Sequence, residues 1–396
     1  MKKFLIPTLL SFCLCATLIF AQEEIPVAEA ERPVLRAQVI QDEPVDGEAT
    51  SSDAAALPQA PAAPTTEAVP LETVSPPSPL DAQPVGDDAV RLQIFLDESR
   101  FGPGVIDGKP GRFTQLAVRS WNEVNGHPLE DWIAVNTAAR EAVKNPFATA
   151  IVPEIAKQWV NGKLPTKREL QAKVKRMSYR SYAEFMSERY HTDVPYLIVL
   201  NGKSKVYNLK PRDTLVVPNV SPFVIEQLTG ARHLEDPALS TRLIVVDTKN
   251  NQARIFESAP TALIVEDPDA PAATASTQRA NKALIASFPI TPGKPQFIRY
   301  GIWELRNMIE LPHWRFDKKL LETGKRGDVS LNIPPGPNSP VGVIWNGTSR
   351  SGIGLHGTSD PETIGRARSA GCIRLANWDA VRLPELIRPG ATVEIR

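Results

Sequence analysis

Cysteine is nearly absent: three among 396 residues, two of them, Cys13 and Cys15, inside an apolar stretch at the start. With Cys372 alone beyond that stretch, a disulfide framework is excluded for the rest of the chain. Histidine is scarce too, and His127, His191 and His233 are scattered without the spacing of metal ligands, so neither a metal nor a cofactor is expected. An excess of one charge is also lacking, because 45 Lys and Arg balance 45 Asp and Glu. No basic stripe with interleaved aromatics compensates, and nucleic-acid binding is not supported. The run Gly352-Ile353-Gly354-Leu355-His356-Gly357 has the glycine spacing of a dinucleotide loop. Thr358-Ser359-Asp360-Pro361 follows where such a loop needs a helix start, which excludes that reading.

One long apolar run exists, residues 4–21, preceded by Lys2 and Lys3. It has the charged and apolar regions of an export signal, and residues 1–21 are expected to be either cleaved or kept as a membrane anchor. Phe12 and Leu14 precede the two leader cysteines, so a lipid-anchored cysteine is not expected. Residues 22–85 are rich in Pro, Ala, Glu, Thr and Ser, with twelve carboxylates against Arg32 and Arg36. Such a segment cannot bury enough apolar surface to offset its ordering entropy, and a disordered spacer is expected. The remainder carries the compensating positive balance, which suits an anionic polymer surface.

The lone cysteine outside the leader is flanked by small residues, in Ser369-Ala370-Gly371-Cys372-Ile373-Arg374-Leu375, and His356-Gly357-Thr358 lies upstream. A thiol attacks as thiolate, so a nucleophile here calls for a pKa lowered by imidazolium, backbone donors or a helix start. Gly371 would let the backbone approach a carbonyl closely, and N–H groups around Ala370, Gly371 and Cys372 could line an oxyanion hole. His356 ends an alternating strand, and Arg374, two residues past the thiol, offers a fork for a carboxylate on the same side. Strands are expected at 243–247, 253–256, 285–290, 341–345, 352–356 and 391–395, with a probable-insertion composition at 259–282 and helix near 378–386.

These motifs resemble the signature of L,D-transpeptidases with the YkuD fold, with Pro334-Pro335-Gly336-Pro337-Asn338-Ser339-Pro340 upstream and Asp379, Gly390 and Thr392-Val393-Glu394-Ile395 downstream also similar. The resemblance covers most of 241–396. It implies Cys372 as nucleophile, His356 as its base or imidazolium partner, and the Gly357 carbonyl orienting the ring. Ser369 would tie down the loop, with Ala370 and Gly371 at the oxyanion site and Arg374 holding loop or substrate. The implied substrate is a peptidoglycan stem tetrapeptide, acylating the enzyme with loss of D-Ala. An amine of another stem or of a wall-anchored protein would resolve the thioester, without metal or ATP. The family often has histidine where this chain has Ala370. Water as acceptor, giving an L,D-carboxypeptidase, and a non-catalytic wall-binding protein stay open as alternatives.

Two accessory modules are expected upstream. Leu92-Gln93, Leu96, the turn Ile106-Asp107-Gly108, Gly111, Thr114 and Ala117-Val118 resemble the helical peptidoglycan-binding module, here at 86–140, with Thr114 capping its second helix. Tyr182, Phe185, Met186 and Tyr190, then Leu197 to Asn201 and the ending Asp213-Thr214-Leu215-Val216-Val217-Pro218-Asn219, resemble a degenerate βααβ LysM module at 175–220. Its opening strand is missing there, and glycan binding and a purely structural role are both open. The expected fold is thus multidomain α+β, with a mostly-β catalytic domain at 241–396. The expected setting is export to periplasm or cell wall, with membrane contact only through an uncleaved leader.

Overall fold

The computed structural model describes residues 69–71 (backbone), 76–257, 283–295, 297–319, 327–350, 352–366 and 371–396. The leader, most of the spacer, the segment 259–282, and Ser369 and Ala370 lie outside the described residues. The spacer expectation fails at its C-terminal end: strand β1 (Val69–Leu71) is ordered and pairs antiparallel with residues 147–149. Ser78 is buried as well, its N–H donating to Asp88 Oδ2 at 2.6 Å.

Three helices follow, α1 (Gly86–Glu98), α2 (Arg112–Val124) and α3 (Trp132–Ala142). Leu92 and Leu96 of α1, Ala117 and Val118 of α2, and Val135 and Ala139 of α3 form their shared core. Gln93 accounts for the turn that the sequence singles out. Its Oε1 accepts from Asp107 N (3.1 Å) and Gly108 N (2.8 Å), and its Nε2 donates to Asp107 Oδ1 (3.0 Å). Thr114 does not cap α2, which starts two residues earlier at Arg112 with Gly111 as its cap residue; Thr114 is buried inside the first turn. Asp131 is the side chain that caps a helix here, accepting from Ala134 N at the start of α3.

The opening strand missing from 175–220 exists earlier in the chain. β2 (Phe147–Ile151) is followed by short helices α4 (Ala156–Trp159) and α5 (Arg168–Gln171), then α6 (Tyr182–Arg189), α7 (Val194–Asn201), α8 (Lys203–Tyr207) and β3 (Thr214–Pro218). β2 pairs antiparallel with β3, so the five helices α4 to α8 lie between two neighbouring strands. Ser181 caps α6 and Asp193 caps α7. Asn201, at the end of α7, accepts from Val216 N (2.8 Å) and donates to Val216 O (2.7 Å), fastening helix to strand.

The remaining chain is strand-rich: β4 (Arg232–His233), β5 (Leu243–Asp247), β6 (Gln252–Phe256), β7 (Leu284–Pro289), β8 (Gly301–Glu310), β9 (Trp314–Phe316), β10 (Leu331–Ile333), β11 (Ile344–Thr348), β12 (Gly354–His356) and β13 (Ile373–Arg374). Helices α9 (Asn377–Ala380) and α10 (Leu383–Leu386) and strand β14 (Thr392–Ile395) complete it. One sheet runs β13-β12-β11-β8-β14-β5-β6-β7, with β4 also on β8, while β9 and β10 form a separate hairpin. β8, the ten-residue strand that joins the two halves of the sheet, has no counterpart among the expected strands. The strand expected at 341–345 begins at Ile344, because Gly342 (φ +60°) closes a turn onto Ser339 O.

The described residues fall in one compact unit. Asp97 of α1 accepts from Arg382 (2.7 Å), which precedes α10, and lies 3.0 Å from Nδ1 of His191, which follows α6. Burial opposes ionisation of Asp97, but the Arg382 and His191 interactions hold its carboxyl below the ordinary range.

Candidate active site

β12 and β13 are parallel neighbours, with Leu355 opposite Ile373 and His356 opposite Arg374. Side chains alternate along a strand and directly paired residues share a face. His356 and Arg374 therefore share one side of this edge of the sheet, and Cys372 immediately precedes β13, although fifteen residues separate the histidine from the cysteine. The backbone of Thr291 holds β13 from its other side, with Thr291 N to Arg374 O at 2.9 Å and Arg374 N to Thr291 O at 3.0 Å.

His356 is buried, with Nδ1 2.7 Å from Gly357 O. A carbonyl oxygen only accepts, so Nδ1 carries the proton and Nε2 keeps its lone pair. Burial, and then the Arg374 charge, push the ring down to about 3 from 6.5, against the Gly357 bond that favours protonation. The imidazole is therefore neutral at physiological pH. Trp345, its partner across β11 and β12, stacks on it with centroids 5.6 Å apart and planes at 19°.

Cys372 is partly exposed and outside any disulfide, with Sγ 3.5 Å from Gly352 O. Burial of the sulfur pushes its thiol up to about 11 from 9.0, opposed by the backbone at Gly354 and by Arg374. Partial exposure of the residue tempers that rise without reversing it. The depressed thiol expected of a pre-formed thiolate–imidazolium pair is therefore not present in this resting geometry. Gly371 has φ +117°, a conformation a side chain would strain, and its backbone lies against Gly293, where an added Cβ would come within 2.5 Å of Gly371 Cα.

Among the other expected residues, Arg374 has a buried Nε without a hydrogen-bond partner among the described residues. Ser369 and Ala370 lie outside the described residues, and so do the backbone donors expected there. Trp314 packs with Phe316 (centroids 5.3 Å) under the Arg168 guanidinium of α5. His127 stacks on Trp121, and His233 Nε2 lies 3.1 Å from Glu310 Oε1. Among the described residues no group of three His, Cys, Asp or Glu could hold a metal ion.

Sequence reasoning missed three residues: Trp345, Asn377 and Glu188. Asn377 is fully buried; its Oδ1 accepts from Val343 N (3.2 Å) and its Nδ2 donates to Glu188 Oε1 (2.8 Å). Its place five residues after the cysteine was a usable signal, whereas nothing local marks Glu188, 184 residues before the cysteine.

The stretch 269–395 matches the YkuD family, described as the L,D-transpeptidase catalytic domain. Two curated relatives, both named as L,D-transpeptidases and both called YkuD, are similar to this chain. That of Bacillus licheniformis is 40% identical over 78 residues, 19% of this chain and 47% of its own. That of Bacillus subtilis is 29% identical over 156 residues, 38% of this chain and 93% of its own. The chain thus spans about half the length of the first of them, 47%. Among solved structures, L,D-transpeptidase 1 of Mycobacterium tuberculosis is similar at 13% identity over 39% of this chain and 61% of that one, with a TM-score of 0.24. The segment holding His356 and Cys372 accordingly matches the L,D-transpeptidase catalytic domain family.

Proposed function

We propose that the protein is an exported, cysteine-dependent L,D-transpeptidase acting on peptidoglycan stem tetrapeptides. The observation that carries this reading is the parallel β12–β13 register, which pairs His356 with Arg374 directly after Cys372, together with the Nδ1 bond to Gly357 O that leaves Nε2 of His356 free to act as a base. As Sγ of Cys372 attacks the carbonyl between the third residue and the terminal D-Ala, its proton passes to His356 Nε2. The tetrahedral intermediate collapses as His356 returns that proton to the departing D-Ala amine, leaving a thioester. An acceptor amine then attacks the thioester, gives its proton to His356, and expels the sulfur, which is reprotonated. The pairing of Arg374 with His356 supports a role for its guanidinium in holding the loop or a substrate carboxylate. Gly371 N–H belongs with the proposed oxyanion donors, together with Ser369 and Ala370 as loop residues. The proposed partners are stem peptides and glycan, with a wall-anchored protein as a second class of acceptor.

Purified enzyme incubated with tetrapeptide should gain an acyl mass that maps to Cys372, release D-Ala and yield joined stems. Cys372→Ala should do none of these. Tripeptide without joined stems would assign water as acceptor and make the protein an L,D-carboxypeptidase. Absence of any adduct on the wild-type enzyme would leave a wall-binding protein without this chemistry.

A further inference from the structure

The chain of contacts behind His356 leaves the matched catalytic segment. Gly357, whose carbonyl receives the His356 Nδ1 proton, lies so close to the Asn377 side chain that a Cβ on it would stand 2.0 Å from Asn377 Oδ1. Gly342 presses on the same oxygen from another direction, its own hypothetical Cβ at 2.2 Å. Asn377 therefore sits in a slot made by two bare α-carbons, with Val343 N–H donating to the oxygen at 3.2 Å. Its Nδ2 donates to Glu188 Oε1 at 2.8 Å, and a second, longer contact of 3.5 Å reaches Pro337 O. Glu188 belongs to α6, one of the helices between β2 and β3, outside residues 269–395. It is buried, and its Oε2 is hydrogen-bonded to the buried Tyr179 hydroxyl.

We propose that Glu188 is a positioning residue for the reaction: through Asn377 it fixes the Gly357 carbonyl, and with it the tautomer and aim of His356. An amide side chain has two ends of opposite hydrogen-bonding sense. By receiving Nδ2, Glu188 dictates that Oδ1 faces Val343, Gly342 and Gly357. Without that acceptor, only the 3.2 Å bond from Val343 N–H and the 3.5 Å contact to Pro337 O hold the amide, and a flip would press the bulkier NH2 end on Gly357. The helical unit preceding the sheet thereby completes the catalytic apparatus rather than only delivering it to the wall. This rests on the reading of Cys372 and His356 as the reacting pair. The role belongs to Glu188 as an acceptor on a short tether, so glutamine, which also offers Oε1, should replace it.

The test uses the full-length protein with Glu188→Met, Glu188→Ala and Glu188→Gln. Imidazole nitrogen NMR reads the His356 tautomer independently of any turnover, so it remains decisive even if the assigned reaction is wrong. Wild type and Glu188→Gln should show protonated Nδ1 only. The folded Met or Ala variant should show mixed tautomers and a kcat for D-Ala release lowered on the order of 10²-fold, as for a misaimed group, with KM within about twofold of wild type, because no substrate contact is removed. An unchanged His356 tautomer in a folded Met or Ala variant would overturn the proposal. So would failure of glutamine to rescue. Loss of folding in both the Met and Ala variants would overturn it as well, by making Glu188 a requirement of the fold instead.

Discussion

His356 is kept neutral and Cys372 protonated by the same cause: each would carry a charge in a place that solvates it poorly. Arg374 acts on both, opposing charge on the ring and favouring it on the sulfur, yet it does not outweigh burial at the sulfur. A neutral ring and a raised thiol fit the proposed base-assisted attack and not spontaneous thiolate chemistry. Alkylation of the resting enzyme by iodoacetamide makes the distinction measurable. With the thiol pushed up to about 11, the thiolate fraction grows tenfold per unit of pH, and the rate at Cys372 should climb steadily between about pH 7 and 10. A rate already level at neutral pH would mean a pre-formed ion pair and would contradict the neutral resting site.

At the scale of elements, a strand pair carries His356 and Arg374, and α6 reaches it through the Glu188–Asn377 hydrogen bond. The pair was legible because its residues are of unusual type: one cysteine beyond the leader, a histidine at the end of an alternating run, an arginine two places on. The strand holding the sheet together was not. β8 reads Gly-Ile-Trp-Glu-Leu-Arg-Asn-Met-Ile-Glu, in which Glu, Leu, Arg and Met favour helix, and its burial does not alternate cleanly because neighbouring strands cover different stretches of it. Strand β2, the partner of β3, was hidden for a different reason. An insertion carrying α4 and α5 separates it from α6, and pairing across such a distance leaves no local pattern. Asn201 is the local part of that closure and gives it a test. Asn201→Ala removes two bonds to Val216 and should lower stability by about 1–3 kcal/mol, read as a shift in the urea midpoint, with the tautomer of His356 unchanged. An unmoved midpoint would show that the β2–β3 ladder alone holds β3 in place.

The molecule as a whole buries carboxyls where its parts meet, and that sets how its stability must respond to pH. Burial pushes Glu188 up to about 8 from 4.5, against the Tyr179 and Asn377 hydrogen bonds, and Asp379 up to about 8 from 3.8, against the Arg382 charge. Both groups hold a proton in the folded state that the unfolded chain has already released, so each favours folding at low pH and loses that advantage as pH rises to about 8. His356 runs the other way, since its folded value of about 3 lies below the ordinary 6.5: it favours folding as pH climbs to 6.5 and adds nothing beyond. Between 6.5 and 8 the two carboxyls are thus unopposed by the histidine. Each unmatched proton is worth about 1.4 kcal/mol per pH unit, so the thermal midpoint should fall across that interval at constant ionic strength. Glu188→Gln removes one titrating group while keeping the bond to Asn377. Its midpoint should therefore fall less steeply between pH 6.5 and 8 while the two proteins converge below pH 4.5, where Glu188 is protonated in both states. Parallel slopes for wild type and Glu188→Gln would mean that Glu188 is ionised in the folded protein, with Tyr179 and Asn377 stabilising the charge enough to offset its burial.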